Sequence, residues 1–574
     1  MKKLLIYLKD YRKEAVLGPL FKLLEASFEL IVPLVVAAII DQGIAARDQG
    51  VIIRKCLILV ALGLVGLLCS VTAQYFAAKA ATGFVRQLRH ALFSHIQRFS
   101  YRALDRLGIS TLITRMTSDM NQVQTGLNLT LRLLLRSPFV VFGAMIMAFT
   151  IDVQAALWFA VAIPVLSLVV FGIMLVSIPL YRKVQARLDS VLGITRENLT
   201  GVRVLRAFRR EESEIEAFGE KNEQLTALQK YVGRISALMN PVTYVLINLA
   251  IILLVNTGAL RVEAGLITQG AVVALYNYMS QILVELIKLA NLIINITKSI
   301  ACGKRIQSVL DTEAGEPAVS DAPEGDAAVR VEFRHVSLQY SEGADASLTD
   351  ISFSALPGET IGIIGGTASG KSSLVHLIPR FYDATEGQVF VDGRDVRAWD
   401  PALLRSHVGI VPQKAVLFRG SIRDNLRWGR EDASDEELIR AAEAAQALDV
   451  LEAKGGLDGE IEQGGRNLSG GQRQRLTIAR ALVRQPEILI LDDSASALDF
   501  ATDAALRASL RRLEGSPTVF IVSQRTSSIQ QADRIIVLDD GKMVGFGRHE
   551  ELLRSCPVYQ EIYDSQFRKE AAKA

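Results

Sequence analysis

The octet Gly365-Gly366-Thr367-Ala368-Ser369-Gly370-Lys371-Ser372 has the spacing G-x-x-x-x-G-K-[ST]. Glycines in such a turn let backbone N–H groups curl around phosphate oxygens. The lysine neutralises the outer phosphates, and the serine hydroxyl is a magnesium ligand. The octet alone arises by chance, but here the apolar ETIGIIG precedes it and the helical KSSLVHLIPRF follows it, as the motif requires. About a hundred residues on, Leu468-Ser469-Gly470-Gly471-Gln472 leads into RQRLTIARAL. An ordinary loop before a solvated helix would read the same way; the chemical alternative is a second anion cradle at a helix N-terminus. Next comes LDDSASALD, residues 491–499. Ile488 to Leu491 form an apolar run that predicts a buried strand, and Asp492 at its end stands where a carboxylate would hold magnesium.

These groups need a scaffold. From Val329 onward short apolar strands alternate with helical segments, which predicts an α/β domain over residues 329–574. Before it, EPAVSDAPEGDAA marks a Pro/Ala/acidic linker at 313–328, and residues 1–312 are far more apolar. Six stretches there, near 15–43, 56–78, 130–150, 154–180, 237–261 and 270–296, are long enough to cross a bilayer, which takes about 20 residues of helix. Spans two and three, and again four and five, are joined by polar stretches too long for simple loops. Both stretches are arginine-rich (Arg86, Arg89, Arg98, Arg102, Arg106 and Arg115; Arg182, Arg187, Arg196, Arg203, Arg206, Arg209 and Arg210), so the positive-inside tendency places them in the cytoplasm with the basic N-terminus. Arg47, Arg54 and Lys55 near the first outer loop run mildly against this. The fold class expected is an all-α six-helix transmembrane domain with long cytoplasmic helical extensions, followed by an α/β P-loop ATPase domain.

Composition agrees and excludes alternatives. Half the 574 residues are hydrophobic and the mean hydropathy is +0.27, high for a soluble enzyme. A net charge of +3 gives no case for nucleic acid. Cys56, Cys69, Cys302 and Cys556 are scattered, without the spacing of a zinc site or disulfide framework. Lys9, Asp10, Arg12, Lys13 and Glu14 interrupt any signal-peptide core, so the N-terminus is expected to be an amphipathic helix on the membrane face. Within the spans, Glu25, Glu29, Glu285 and Lys288 either attract a charged cargo or pair internally. Asn248, Asn256, Asn277, Asn291 and Asn295 either line a polar cavity or bridge helices.

The three motifs, in this order and spacing, resemble the ATP-binding cassette (ABC) ATPase family over residues 329 to about 565. The membrane half resembles that family's six-helix exporters. The resemblance implies ATP and Mg²⁺ as cofactors. It implies that Tyr340 stacks on adenine and that Gly365, Gly366, Thr367, Ala368, Ser369, Gly370, Lys371, Ser372, Ser373 and Gln413 surround the nucleotide. Ser372, Gln413 and Asp492 would hold Mg²⁺. Asp499 would be the D-loop aspartate, and the signature Leu468–Gln472 would act in trans on the ATP of a second chain.

Two positions depart from the pattern. The catalytic glutamate is replaced by Asp493, and the switch histidine by Gln524. Aspartate is one methylene shorter, so its carboxylate falls more than about 1 Å short of the attacking water, and general-base action contributes about 10²–10⁴-fold. Glutamine can donate to a γ-phosphate but never becomes cationic. The pair resembles one subunit of heterodimeric bacterial multidrug-type exporters, as do IEQGGRN and GFGRHEELL. The expected function is therefore a subunit of an ATP-driven exporter of amphipathic or hydrophobic compounds in the cytoplasmic membrane. Its own site would bind ATP and cleave it slowly, beside a homologous half-transporter with a competent site. The other expected partners are membrane lipid and an amphipathic small-molecule cargo; nucleic acid is not one. A lipid or peptide exporter is the alternative, the peptide version weakened because no peptidase precedes the first span. The six spans exclude a soluble mechanical ATPase working on DNA or ribosomes.

Overall fold

The structure, a computed structural model, describes residues 2–313, 315, 325–341, 343, 345–513 and 515–571. Residues 314 and 316–324, most of the expected linker, lie outside them. The chain divides into two compact units. One holds Met1–Gln97 and Gly108–Glu313; the other holds Ala314–Ala574 together with Arg98–Leu107, a segment from within the range 1–312.

Among the described residues the first unit has six helical runs long and apolar enough to cross a membrane: Lys3–Ile44, Gln49–Ile96, Ile109–Ile151, Val153–Thr200, Glu211–Glu263 and Gln269–Leu310. Each is longer than the hydropathy signal alone, because the helices run on through polar sequence beyond the apolar stretch. Side chains mark several starts. Asp48 accepts from Gly50 and Val51 N–H (2.8 and 3.1 Å) at the second, and Asp152 accepts from Ala155 N–H (2.8 Å) at the fourth. Small residues set the packing: Ala144, Ala148, Ala155 and Ala156 are wholly buried, which lets backbones approach without a large hydrophobic driving force. Gly270 is required, since a Cβ there would lie 2.3 Å from the carbonyl of Ala37; its N–H donates to Asp41 (2.8 Å).

The acidic groups within the spans pair internally. Lys22 donates to Glu25 (2.5 Å). Arg136 donates to both Glu29 and Glu285 (2.6 Å each), tying the first, third and sixth spans, and Lys288 donates to Glu285 (2.8 Å). Asn248 and Asn295 donate to carbonyls of their own helices, whereas Asn277 faces a cavity described below.

The second unit is α/β. A six-stranded sheet has the order β12-β11-β3-β10-β9-β6, with β3 Thr360–Gly365, β6 Val408–Val411, β9 Ile488–Asp492, β10 Thr518–Val522, β11 Arg534–Asp539 and β12 Lys542–Gly547. Every pairing is parallel except β11 with β12. β9 and β10 are buried along their whole length, as continuous apolar runs between parallel neighbours must be. An antiparallel sheet, β2-β1-β4-β5, is formed by β1 Val331–Leu338, β2 Leu348–Ala355, β4 Glu386–Val391 and β5 Arg394–Asp395. The short pair β7 Gly420–Ser421 and β8 Glu460–Ile461 lies among helices that include Gly470–Val483.

Candidate nucleotide-binding site

The site forms where parallel strands end and helices begin, the usual crevice of an open α/β sheet. β3 runs into the loop 366–370 and then the helix Lys371–Leu377. Two glycines are sterically enforced. A Cβ at Gly365 would lie 2.1 Å from the carbonyl of Leu538. Gly370 has φ +93°, and a Cβ there would lie 2.5 Å from the carbonyl of Ser347. At Gly366 a Cβ would meet nothing, so the loop keeps an open side. Lys371 donates to the carbonyls of Gly365 (3.1 Å) and Gly366 (2.5 Å) and to Ser369 Oγ (3.3 Å). Burial pushes its ammonium below the ordinary lysine range, opposed by the carboxylates of Asp493 and Asp492.

Ser372 Oγ donates to Asp492 Oδ1 (2.9 Å), joining the loop to the end of β9. Burial pushes the Asp492 carboxyl up, and the Ser372 hydrogen bond works against it. A hydroxyl and a carboxylate in contact are oxygen donors of the kind a hard divalent cation such as Mg²⁺ takes, so these residues fit that ion. His376 Nε2 lies 3.7 Å from Asp492 Oδ2; the motifs do not reveal that contact, since helix geometry brings it in one turn after the octet.

Asp493 has φ +46°, unusual for a non-glycine residue and common at functional sites. Its N–H donates to the carbonyl of Val522 (3.0 Å), and its carboxylate accepts from Gln413 Nε2 (3.2 Å). Gln524, two residues past Val522, is exposed at the same sheet end, and its carbonyl accepts from Gln566 (2.7 Å). The structure thus brings Asp492, Asp493, Gln413 and Gln524 to one edge beside Lys371 and Ser372.

Tyr340 donates to Ser373 Oγ (2.9 Å) and packs edge-on against Tyr382, ring centroids 4.9 Å apart. Tyr382 in turn donates to Asp105 (2.6 Å), and Tyr101 stacks on Phe381 at 4.3 Å. The helix Tyr101–Leu107 is therefore fastened beside the aromatic group of the site. Asp105 and Tyr382 lie too far apart in sequence for any motif to link them. If Tyr340 supplies a ring for adenine, Tyr340→Ala is expected to weaken ATP binding roughly 10-fold, the scale of one base–aromatic stack. Tyr340→Phe should bind as the parent does, and a nucleotide titration of the two variants checks it.

Leu468–Gln472 is placed apart: among the described residues no hydrogen bond joins it to the loop 366–370. Ser469 caps the helix Gly470–Val483, accepting from Gln472 N–H (3.2 Å) while Gln472 Oε1 accepts from Ser469 N–H (2.9 Å). Ser469 and Gly470 are exposed, and a Cβ on Gly470 would touch nothing. Asp499 caps the helix Phe500–Leu510 through Thr502 N–H (2.8 Å).

A phosphate-binding loop, a magnesium-type carboxylate and an exposed capped glycine turn on one α/β unit define a P-loop ATPase, here continuous with a six-helix membrane unit. Comparison with known proteins gives the family. The model for the ABC transporter transmembrane region matches residues 16–286, and that for the ABC transporter matches 348–496. An uncharacterised ABC transporter ATP-binding protein of Mycobacterium tuberculosis is 39% identical over 570 residues, covering 98% of this chain and 97% of the relative. YfiB, an uncharacterised ABC transporter ATP-binding protein of Bacillus subtilis, is 36% identical over 578 residues and the full length of both. An ATP-dependent lipid A-core flippase of Desulfotalea psychrophila is 31% identical over 493 residues, 85% of each. The structure of a bacterial Atm1-family ABC exporter with ATP bound matches with TM-score 0.82 and 25% identity, over 97% of this chain and 99% of that one. The chain belongs to the ABC transporter family. It is an exporter of this type, a multi-pass membrane protein with an ATP-hydrolysing domain.

Proposed function

We propose that this chain is one half of a heterodimeric exporter whose two ATP sites are unequal, and that its own site holds ATP and cleaves it slowly. The observation that carries this is the pair Asp493 and Gln524 at neighbouring ends of β9 and β10, where a long carboxylate and a cationic side chain are the groups that cleavage needs. On ATP binding, Lys371 would turn from the loop carbonyls to the phosphates, and Ser372, Gln413 and Asp492 would hold Mg²⁺. Bound there, the ion would supply charge neutralisation on the phosphates. Asp493 is short of the water, and Gln524 offers a neutral N–H to the charge that develops. Binding is thereby kept while cleavage is weakened at two points.

The signature serves the partner's site. Its exposed Gly470 and the capped helix behind it leave N–H groups turned outward, where a γ-phosphate of the partner's ATP would be received. The arginine-rich connections support a cytoplasmic position for the ATPase unit and the N-terminus. The cargo class is an amphipathic or hydrophobic compound, multidrug type; the likeness to a lipid A-core flippase supports lipid translocation as the second reading. The test is turnover of the purified chain without a partner: a rate far below ordinary exporters is expected, and an ordinary rate contradicts the proposal.

A further inference from the structure

A cavity of about 430 Å³ lies within the first unit between the first and sixth spans. Glu29, Asn277, Ser280, Gln281, Glu285 and Lys288 line it together with apolar residues. Beneath it runs an ionic chain: Lys288 to Glu285, Glu285 to Arg136, Arg136 to Glu29. The two inner members are buried, and Glu285 is fully engaged, accepting also from Ser137 Oγ (2.9 Å). The two ends are open. The Glu29 side chain is 39% exposed and the Lys288 side chain 46%. Among the described residues, only one Glu29 oxygen accepts, from Arg136, and one of the three Lys288 hydrogens is spent on Glu285. Gln281 adds a buried Oε1 without a partner among the described residues, an acceptor that is costly to keep idle.

Four charges that sum to zero present one free anionic end and one free cationic end to the same space. A bare cation would sit well at Glu29 and badly near Lys288; a bare anion would do the reverse. In a low-dielectric site the mismatch is not screened away. A headgroup carrying both charges meets both ends. We propose that this cavity receives a zwitterionic group, an ammonium and a phosphate or carboxylate a few bonds apart, with Glu29 taking the ammonium and Lys288 the anion. The inference rests on the exporter reading above and names the chemistry of its cargo. At 430 Å³ the space admits a headgroup, and any hydrocarbon tail lies outside it.

The test uses the full-length protein in phosphatidylglycerol nanodiscs, whose lipid lacks an ammonium. Equilibrium binding is measured for lysophosphatidylethanolamine, dodecylammonium, dodecyl phosphate and dodecyl maltoside. The zwitterion is expected to bind about 10-fold tighter than either singly charged amphiphile, as charge-assisted pairs at both ends require. Glu29→Gln should weaken the zwitterion and dodecylammonium and spare dodecyl phosphate. Lys288→Met should weaken the zwitterion and dodecyl phosphate and spare dodecylammonium. A merely structural ionic staple would not produce that crossed pattern. Glycerophosphoethanolamine, the same headgroup without a tail, separates the sources: retained affinity marks a soluble zwitterion and lost affinity a lipid, and both uphold the site. Equal binding of all four amphiphiles by the parent protein, or tightest binding of a singly charged one, overturns this inference and leaves the exporter reading standing. Failure of every amphiphile to bind overturns this inference together with the amphipathic-cargo reading on which it rests.

Discussion

Gly470→Asp in this chain is expected to bring ATP turnover of the assembled pair close to background, whereas Lys371→Ala should leave a substantial fraction of it. The two lesions would be equally damaging if the two sites were alike. In the proposed heterodimer they would differ because each cassette would give its loop to one site and its signature to the other. Lys371 would serve the slow site, where its loss would impair binding and regulation and spare the main chemical step. Gly470 would face the partner's ATP, and a carboxylate placed there would oppose the γ-phosphate in a closed site, where charges act strongly. Gly470 is also a clean position for the test: a Cβ there meets no neighbour within 4 Å, so the fold should tolerate the change. Gly471 is less suitable, since a Cβ would press on the carbonyl of Ala497 at 3.1 Å. Ser469→Arg would in addition remove a helix cap worth about 1 kcal/mol. Steady-state rates of the two mutant pairs at saturating ATP check the prediction. Greater damage from Lys371→Ala would mean that Asp493 performs ordinary catalysis.

The double change Asp493→Glu with Gln524→His should raise turnover of this chain's own site by roughly 10²-fold, the lower part of the range for a correctly placed general base. The two substitutions act on one reaction, so each alone should recover much less than the pair. Gln524 is exposed, and Asp493 lies at a strand end where Gln413 contacts its carboxylate from an exposed loop. The backbone of Asp493 is already held at φ +46° by its hydrogen bond to Val522, so the longer side chain starts from the same point. ATP affinity should stay unchanged, because Lys371, Ser372 and Asp492 are untouched. A single-turnover measurement with and without the changes decides it; unchanged cleavage would show that the limiting step lies elsewhere.

How legible these features were in the sequence depends on how local their causes are. The P-loop, the signature and β9 can be read because each is a short contiguous stretch whose backbone geometry demands particular residues; Gly365 and Gly370 are glycines for steric reasons that a motif records. The six spans can be read because a bilayer requires unbroken apolar length. Their ends cannot. The second stretch reads as 56–78 by hydropathy and a helical extension beyond it is expected; the helix runs from Gln49 to Ile96, and hydropathy marks neither end because charged residues such as Arg54, Lys55, Arg86 and Arg89 interrupt the apolar run. Least visible are contacts between distant residues. Arg136 stands 107 residues from Glu29 and 149 from Glu285, and nothing in its neighbourhood names either partner. The link from Tyr340 through Tyr382 to Asp105 is hidden for the same reason, as is the affiliation of Arg98–Leu107 with the second unit.

The central claim, that this chain's site keeps its ATP, is tested most directly by identifying the nucleotide at that site. The assembled exporter is allowed to turn over, stopped by rapid separation, and the nucleotide bound at the Lys371 loop is analysed after site-specific photocrosslinking. The account predicts mostly ATP there while the partner's loop carries mostly ADP. Mostly ADP at the Lys371 loop would contradict it.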